Sequence, residues 1–204
     1  MKLENNIGEI KSHLQWWENN LSLPEKHEEF SGWLEDSDVS SRTELFNIID
    51  SKKINNVLEI GPGIFTDYNM FFSKKKDITY KSIDITKKIV DKAKELGIDC
   101  EQSSIENIMY SDSSFDLVYC RHVMEHLDYY QTALEEMIRV SDKYICVIFW
   151  ILSDNDEIID YNSILNLYHN KYSKNKIENF LKEKDLSFEW FNSNNDKLLF
   201  ISKK

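Results

Sequence analysis

The sequence predicts a three-layer α/β fold, in which helices cover both faces of a mostly parallel β-sheet. From residue 56 to residue 151, short apolar runs typical of strands alternate with longer segments of helical periodicity. The run Tyr144–Ile151 is apolar throughout, as expected of a central strand that is buried on both faces. Two further strands, at 186–191 and 197–201, flank a polar loop with the spacing of a hairpin. We therefore predict a seven-stranded, mostly parallel sheet with a C-terminal antiparallel hairpin.

The individual elements follow from the spacing of apolar residues and from residues that begin or end helices. Residues 7–21 carry the apolar stripe of an amphipathic helix, and Ser41-Arg42-Thr43-Glu44 has the capping-box spacing that predicts a helix start. Thr86 and Gly97 are suited to cap the two ends of the helix between them. The predicted elements after residue 50 are, in order, a strand at 56–60, a helix at 65–73, a strand at 78–85, a helix at 87–96, strands at 98–102 and 115–120, a helix at 129–140, a strand at 144–151 and a helix at 174–184.

The composition indicates a globular protein that acts on a small molecule. The net charge of −11 opposes binding to the phosphate backbone of nucleic acids, which requires clustered Lys and Arg. The longest apolar run has half the length that a membrane-spanning helix needs, and the N-terminus lacks the apolar core of a secretory signal. Three widely spaced cysteines do not suggest a disulfide framework. We therefore expect a cytoplasmic protein with neither a nucleic-acid nor a membrane partner.

Two neighbouring predicted strands end in acidic residues, and the first of them leads into a glycine turn. The strand that ends at Glu59-Ile60 continues into Gly61-Pro62-Gly63, and the following strand ends near Asp84. Glycines in such a turn let the backbone come close to a ligand, because a Cβ would block it. An acidic residue about 20 residues further on usually accepts hydrogen bonds from ribose hydroxyls. The pattern predicts a binding site for a nucleoside-containing cofactor.

The motifs and their order resemble those of class I S-adenosylmethionine-dependent methyltransferases over residues 41–201. The matching segments are Glu59-Ile60-Gly61-Pro62-Gly63, Asp84, Ser103-Ser104-Ile105-Glu106, and the block from Phe115 to Leu127. The resemblance implies a Rossmann-like methyltransferase fold, S-adenosylmethionine as the cofactor, and methyl transfer as the reaction. It also divides the chain into a helical cap or lid segment at 1–40 and an S-adenosylmethionine-binding domain at 41–204.

The resemblance further implies a role for each matching residue. The residues that it assigns to the cofactor are Arg42 for the carboxylate, Glu59 for the loop or the amino group, Gly61, Pro62 and Gly63 for the turn beneath the ribose and methionine, Asp84 for the ribose diol, Ile85 for the adenine ring, Ser104 and Ile105 for the adenine edge, and Arg121 beside the cofactor. His122 is the candidate catalytic base, because the pKa of an imidazole lies near neutrality.

Two positions depart from the family pattern. Phe65 replaces the third small residue of the glycine turn, so that it either crowds the turn or packs away from it. Ser141-Asp142-Lys143 stands where the family usually has a Pro-Gly-Gly turn before the fifth strand. Both departures concern the shape of a loop, and neither removes a carboxylate or a glycine from the expected site.

Three other interpretations compete with a methyltransferase. His122-Val123-Met124-Glu125-His126 is the H-x-x-E-H pattern of a class of zinc peptidases, but it begins at the end of a strand rather than inside a helix, so we predict no metal site. A dinucleotide-binding oxidoreductase would need a glycine where Thr66 stands. A catalytically inactive module would keep the cofactor motifs and fill the acceptor cavity with side chains.

The sequence says less about the methyl acceptor. No Asn/Asp-Pro-Pro-Tyr follows the fourth predicted strand, which makes nucleobase and amide nitrogens less suitable acceptors. The least patterned segments, 1–40 and 153–172, are expected to supply the acceptor surface. We therefore expect methyl transfer to a hydroxyl or amine of a small molecule or of a sugar in a glycan, and the oligomeric state stays open.

Overall fold

A computed structural model of the protein describes residues 17–18, 39–164 and 167–203. The elements are α1 (Val39–Lys52), β1 (Asn56–Ile60), α2 (Thr66–Met70), β2 (Thr79–Asp84), α3 (Lys87–Leu96), β3 (Cys100–Gln102), β4 (Phe115–Arg121), α4 (Gln131–Val140), β5 (Ser141–Phe149), β6 (Leu152–Ser153), β7 (Tyr161–Asn162), β8 (Leu167–Tyr168), β9 (Tyr172–Ser173), α5 (Lys174–Glu183), β10 (Ser187–Ser193) and β11 (Asp196–Ser202), with 3₁₀ turns at Phe72–Lys74 and Met124–His126. Within these residues, no helix has both the length and the apolar character needed to cross a membrane.

Seven of the strands form one sheet, in the order β10-β11-β5-β4-β1-β2-β3. All pairings from β5 to β3 are parallel, whereas β11 runs antiparallel to both β5 and β10. The prediction of a seven-stranded, mostly parallel sheet with a C-terminal hairpin is therefore confirmed. Because the chain turns outward in opposite directions from the adjacent strands β1 and β4, a crevice forms at their carboxyl ends, where ligands bind in open α/β sheets.

The core lies in two layers, one on each face of the sheet. Alternate residues of a strand point to opposite faces, so Leu58 and Val57 of β1 enter different apolar clusters. On one face, Leu58 shares a cluster with buried residues of α4 and α5, such as Leu134 and Leu181. On the other face, Val57 shares a cluster with Leu45 of α1. This arrangement confirms the predicted three layers.

The structure corrects two predicted helix starts. The helix predicted to begin at Ser41 already includes Val39, so Ser41 lies inside it and its hydroxyl donates a hydrogen bond to Asp196 instead of capping the helix. The helix predicted to begin at residue 129 begins at Gln131. Gly97, by contrast, ends α3 in the left-handed conformation that was predicted, with φ of 72°.

Most of the N-terminal segment lies outside the described residues. The predicted helix at 7–21 is described only at Trp17 and Glu18, which are helical. The predicted cap at 1–40 is described only at those residues and at Val39 and Ser40 of α1.

A buried turn after β4 is held in place by the segment that follows β5. The backbone N–H of Asn170 donates to the carbonyl of Glu125 at 2.8 Å, and the hydroxyl of Tyr172 donates to the carbonyl of Met124 at 3.0 Å. The carboxyl group of Glu125 is fully buried and accepts a hydrogen bond from the backbone N–H of Trp150 at 2.8 Å. These bonds link the carboxyl ends of β4 and β5.

Burial raises the pKa of Glu125 from 4.5 to about 8. In the folded chain the group therefore stays protonated between these values, whereas in the unfolded chain it ionises. Stability falls as the pH rises through this window, by up to about 1.4 kcal/mol per pH unit for one proton. Glu125→Gln keeps an oxygen that can accept from Trp150 and cannot ionise. We expect its free energy of unfolding to depend less on pH and to exceed that of the wild type near pH 8.

Urea denaturation between about pH 5 and 8 measures this effect. Glu95→Gln is the matched control, because the side chain of Glu95 is exposed on α3 and its substitution should leave the pH dependence unchanged. Equal pH slopes for Glu125→Gln and the wild type would show that the carboxyl group of Glu125 is already ionised at neutral pH.

Candidate functional site

The glycine turn after β1 lies at the crevice and has little space for side chains. Gly61 and Gly63 both have left-handed backbone conformations, with φ of 69° and 55°. The N–H of Gly61 donates to the carbonyl of Ile83 at 2.9 Å, which ties the turn to the end of β2. A Cβ placed on Gly61 would lie 2.7 Å from Cγ2 of Val123, the residue that follows His122. Glycine at position 61 is thus required both by φ and by the close approach of the turn after β4.

Phe65 packs away from the glycine turn rather than crowding it. The residue is fully buried and contacts an apolar cluster that contains Ile89, Ala93 and Ile98, on and next to α3. Its backbone takes a left-handed conformation, with φ of 62° and ψ of 33°, which is unfavourable for a residue with a Cβ. The turn therefore keeps its shape because burial of the ring offsets local backbone strain.

Asp84 ends β2, and only one of its two carboxylate oxygens accepts hydrogen bonds within the described residues. Oδ1 accepts hydrogen bonds from the backbone N–H and the hydroxyl of Thr86, both at 2.8 Å. Oδ2 makes no hydrogen bond within the part of the chain that the structure describes, and the residue is partly exposed. Burial raises the pKa of Asp84 to about 6, so the group is ionised at neutral pH. An ionised oxygen at a strand end is suited to accept hydrogen bonds from hydroxyl groups.

The loop after β3 lies next to Asp84. The N–H of Ser103 donates to the carbonyl of Asp84 at 3.0 Å, and the side chain of Gln102 donates to the carbonyl of Ile85. The hydroxyl of Ser104 accepts from the backbone N–H of Glu106. The side chain of Ile105 belongs to the apolar core, so that its backbone is the part that can face a ligand.

Glu59 and Arg42 are buried beneath the crevice. Tyr80 donates a hydrogen bond to the carboxyl group of Glu59, and burial raises the pKa of this group. Arg42 forms an ion pair with Asp67, the second residue of α2, and both side chains are almost completely buried. Burial and the nearby charge of Arg121 lower the pKa of Arg42 to about 10. The structure thus places both predicted residues in a charged interior beside the glycine turn.

Arg121 and His122 share one carboxylate, that of Asp196 at the start of β11. Oδ2 of Asp196 accepts from Nη2 of Arg121 at 2.7 Å and from the hydroxyl of Ser41 at 2.6 Å, while Oδ1 lies 3.0 Å from Nε2 of His122. The Asp196 side chain is 3% exposed. Sequence reasoning missed Asp196 because it assigned the residue to the hairpin loop. The available signal was an acidic residue two positions before the apolar run Leu198–Ile201.

These contacts control the protonation states of both groups. Burial acts to raise the pKa of Asp196, but the hydrogen bonds from His122 and Ser41 and the charge of Arg121 hold it below its ordinary value. Burial lowers the pKa of His122, and the charges of Arg121 and Arg42 act in the same direction, against the opposing effect of Asp196. At neutral pH the imidazole is therefore neutral and able to take up a proton.

The H-x-x-E-H pattern does not form a metal-binding helix. His122 lies in a left-handed conformation directly after β4, with φ of 55°, and His126 ends a separate 3₁₀ turn. Nε2 of His122 faces Asp196, whereas Nδ1 of His126 faces the carbonyl of Tyr168 at 2.9 Å. Within residues 17–18, 39–164 and 167–203, no group of three or more His, Cys, Asp or Glu side chains is placed to hold a metal ion.

The geometry fits a nucleoside-containing cofactor. Gly61 has no room for a side chain, and Asp84, on the adjacent strand, presents an ionised oxygen. The loop at 103–105 lies beside Asp84, and His122 lies on the other side of the turn, next to Val123. One half of the crevice can therefore hold a nucleoside, and the other half carries a group that can accept a proton.

Comparison with known proteins gives a family match over part of the chain and a shared fold over most of it. Residues 58–143 match the family model described as a methyltransferase domain. A search of curated proteins found no match.

Solved structures share the fold at low sequence identity. A Burkholderia thailandensis 1,6-didemethyltoxoflavin-N1-methyltransferase with bound S-adenosylhomocysteine is 13% identical, with a TM-score of 0.68 over 87% of this chain and 83% of that chain. A Synechocystis magnesium protoporphyrin IX methyltransferase with bound S-adenosylhomocysteine is 10% identical, with a TM-score of 0.61 over 81% and 83%. A SAM-dependent methyltransferase from Aquifex aeolicus is 19% identical, with a TM-score of 0.56 over 84% and 97%.

The family match covers β1 to β4 and α4, the part of the fold that carries the glycine turn, Asp84 and His122. Residues 58–143 thus match a methyltransferase domain, and the chain shares its fold with solved methyltransferases.

Proposed function

We propose that the chain transfers a methyl group from S-adenosylmethionine to a hydroxyl or amine of a small molecule or of a sugar. The observation that carries this proposal is the pairing of a left-handed glycine turn with the open carboxylate oxygen of Asp84 at the tips of β1 and β2. Structural neighbours that carry S-adenosylhomocysteine, among them the 1,6-didemethyltoxoflavin-N1-methyltransferase, support a small-molecule acceptor.

The cofactor would lie across the tips of β1 and β2. Gly61, Pro62 and Gly63 would pass beneath the ribose and methionine, and Asp84 would accept hydrogen bonds from the ribose diol. The adenine would face Ile85, Ser104 and the backbone of Ile105. The loop that contains Ser104 and Ile105 is held next to Asp84 by the hydrogen bond from the N–H of Ser103. Glu59, Arg42 and Arg121 would support the turn and the methionine end from the buried side, because their charged groups lie in the interior. When bound, S-adenosylmethionine supplies an electrophilic methyl group on a sulfonium.

His122 would act as the base for the acceptor. A hydroxyl or amine that gains a methyl group must lose a proton, and a neutral imidazole at the end of β4 can accept it. The remaining work is to position the acceptor and exclude water.

Residues 1–40 would form a lid over this crevice. The ring of Trp17 lies 5.3 Å from that of His126, beyond the end of β4, while the carboxylate of Glu18 accepts from the backbone N–H of Lys87, three residues after Asp84. These two neighbouring residues therefore contact opposite sides of the crevice. A lid in this position would bury the reacting groups and exclude water.

Calorimetric titration with S-adenosylhomocysteine and with NAD tests the proposed cofactor. We expect binding of the first compound and not of the second, and Asp84→Ala should weaken binding by tenfold or more, since charge-assisted hydrogen bonds to the ribose are lost. Affinity should also fall below about pH 6, where Asp84 becomes protonated, and this pH dependence should be absent in Asp84→Ala. Asp91→Ala, an exposed position on α3, should bind as the wild type does. Unchanged affinity in Asp84→Ala would refute the ribose role.

Gly61→Ala tests the glycine turn, and Gly97→Ala is its matched control. Both glycines have nearly the same left-handed φ, but a Cβ at Gly61 meets Val123, whereas a Cβ at Gly97 meets nothing within 4 Å. Each substitution should lower the free energy of unfolding by about 1 kcal/mol or more through backbone strain. We expect Gly61→Ala alone to weaken S-adenosylhomocysteine binding, by more than tenfold. If the two variants bind equally well, the glycine turn does not contact the cofactor.

A further inference from the structure

We propose that Asp196 is a positioning residue that holds His122 with its Nε2 protonated and its Nδ1 ready to accept a proton. This proposal rests on the proposed function, since it concerns the base for the same methyl transfer. Asp196 enters the site from the C-terminal hairpin, which lies outside the residues matched by the family model.

The tautomer of His122 follows from the partners of Asp196. One carboxylate oxygen accepts from Arg121 and Ser41, and the other lies 3.0 Å from Nε2 of His122. An ionised carboxylate has no proton to donate, so Nε2 of His122 must be the donor. Nδ1 makes no hydrogen bond within the described parts of the chain and carries the lone pair of the neutral ring. The proton acceptor is therefore Nδ1.

The backbone of His122 takes an unfavourable conformation in this orientation of the ring. His122 has φ of 55°, a left-handed conformation that is uncommon for a residue with a side chain. Its N–H nevertheless donates to the carbonyl of Ile148 at 2.9 Å, which extends the pairing of β4 with β5 by one residue. Strained conformations persist where surrounding contacts hold them, and they cluster at functional sites. Here the contacts that hold the residue are this backbone bond and the carboxylate of Asp196.

The charges around His122 suit a base that is neutral at rest. Arg121 and Arg42 face the ring from β4 and α1, and Asp196 faces it from β11. The arginines disfavour the imidazolium, while the carboxylate stabilises it once it forms. When the acceptor gains the methyl group, Nδ1 takes the proton that the acceptor loses, and the electron pair of the methyl–sulfur bond stays on the donor sulfur. The imidazolium then releases its proton to solvent.

Nitrogen NMR of the full chain labelled at histidine tests the proposal without an acceptor. Of the five histidines, His122 is assigned by its loss in His122→Gln. We expect wild-type His122 to carry its proton on Nε2 at neutral pH. In Asp196→Asn, the two donors Arg121 and Ser41 hold the amide oxygen, so the NH₂ group faces His122. We expect this variant to move the proton to Nδ1 and to lower the pKa of the ring.

Ser41→Ala is the control, because it removes one bond to Asp196 but leaves the carboxylate beside His122. It should keep the proton on Nε2. A wild-type ring protonated on Nδ1, or a folded Asp196→Asn protein with the wild-type tautomer, would overturn the proposal. If Asp196→Asn does not fold, the position of the proton on His122 in the wild type is by itself the test of the proposal. Titration of the wild type with S-adenosylhomocysteine separates the two ideas: absence of binding would sink the proposed function, while the tautomer tests Asp196.

Discussion

Pairing of buried charge beneath the strand tips is the constraint on which the site depends. Arg42 and Arg121 lie in the interior together with the carboxylates of Glu59, Asp67 and Asp196. An ion left without a partner in such a place costs several kcal/mol. None of these side chains can therefore move alone, and the pairs join α1, α2, β4 and the C-terminal hairpin into one support for the glycine turn.

The crevice above these buried charges has two chemically different halves. Toward β2 and β3, the exposed groups are backbone atoms and the carboxylate of Asp84, which suit the hydroxyls and ring edge of a nucleoside. Toward β5 lies the largely buried imidazole of His122, which contacts Asp196, and the turn at Met124–His126 is fixed by Asn170 and Tyr172. The strand order separates the two halves, because β1 and β4 are neighbours and their connections leave in opposite directions.

The sequence predicted the parts of the structure that local patterns encode. The strand Asn56–Ile60 and the helix ending at Gly97 occur with the predicted bounds, because apolar runs and a left-handed cap depend on neighbouring residues alone. The Ser41 capping box was wrong because a partner 155 residues away takes the hydroxyl. Asp196 was missed for the same reason, since its partners are distant in the chain. The short strands between residues 152 and 173 have too few residues to show a period.

The close approach of Val123 to Gly61 has an evolutionary consequence. Cγ2 of Val123 lies 2.7 Å from the point that a Cβ at position 61 would occupy, so the volume between the two positions is shared. A larger residue at position 61 would need a smaller one at position 123, and the reverse also holds. The left-handed φ at position 61 in practice restricts that position to glycine. The side chain at position 123 can then vary in size only within the space beside Gly61. Homologues should therefore have small apolar residues at this position, branched or unbranched.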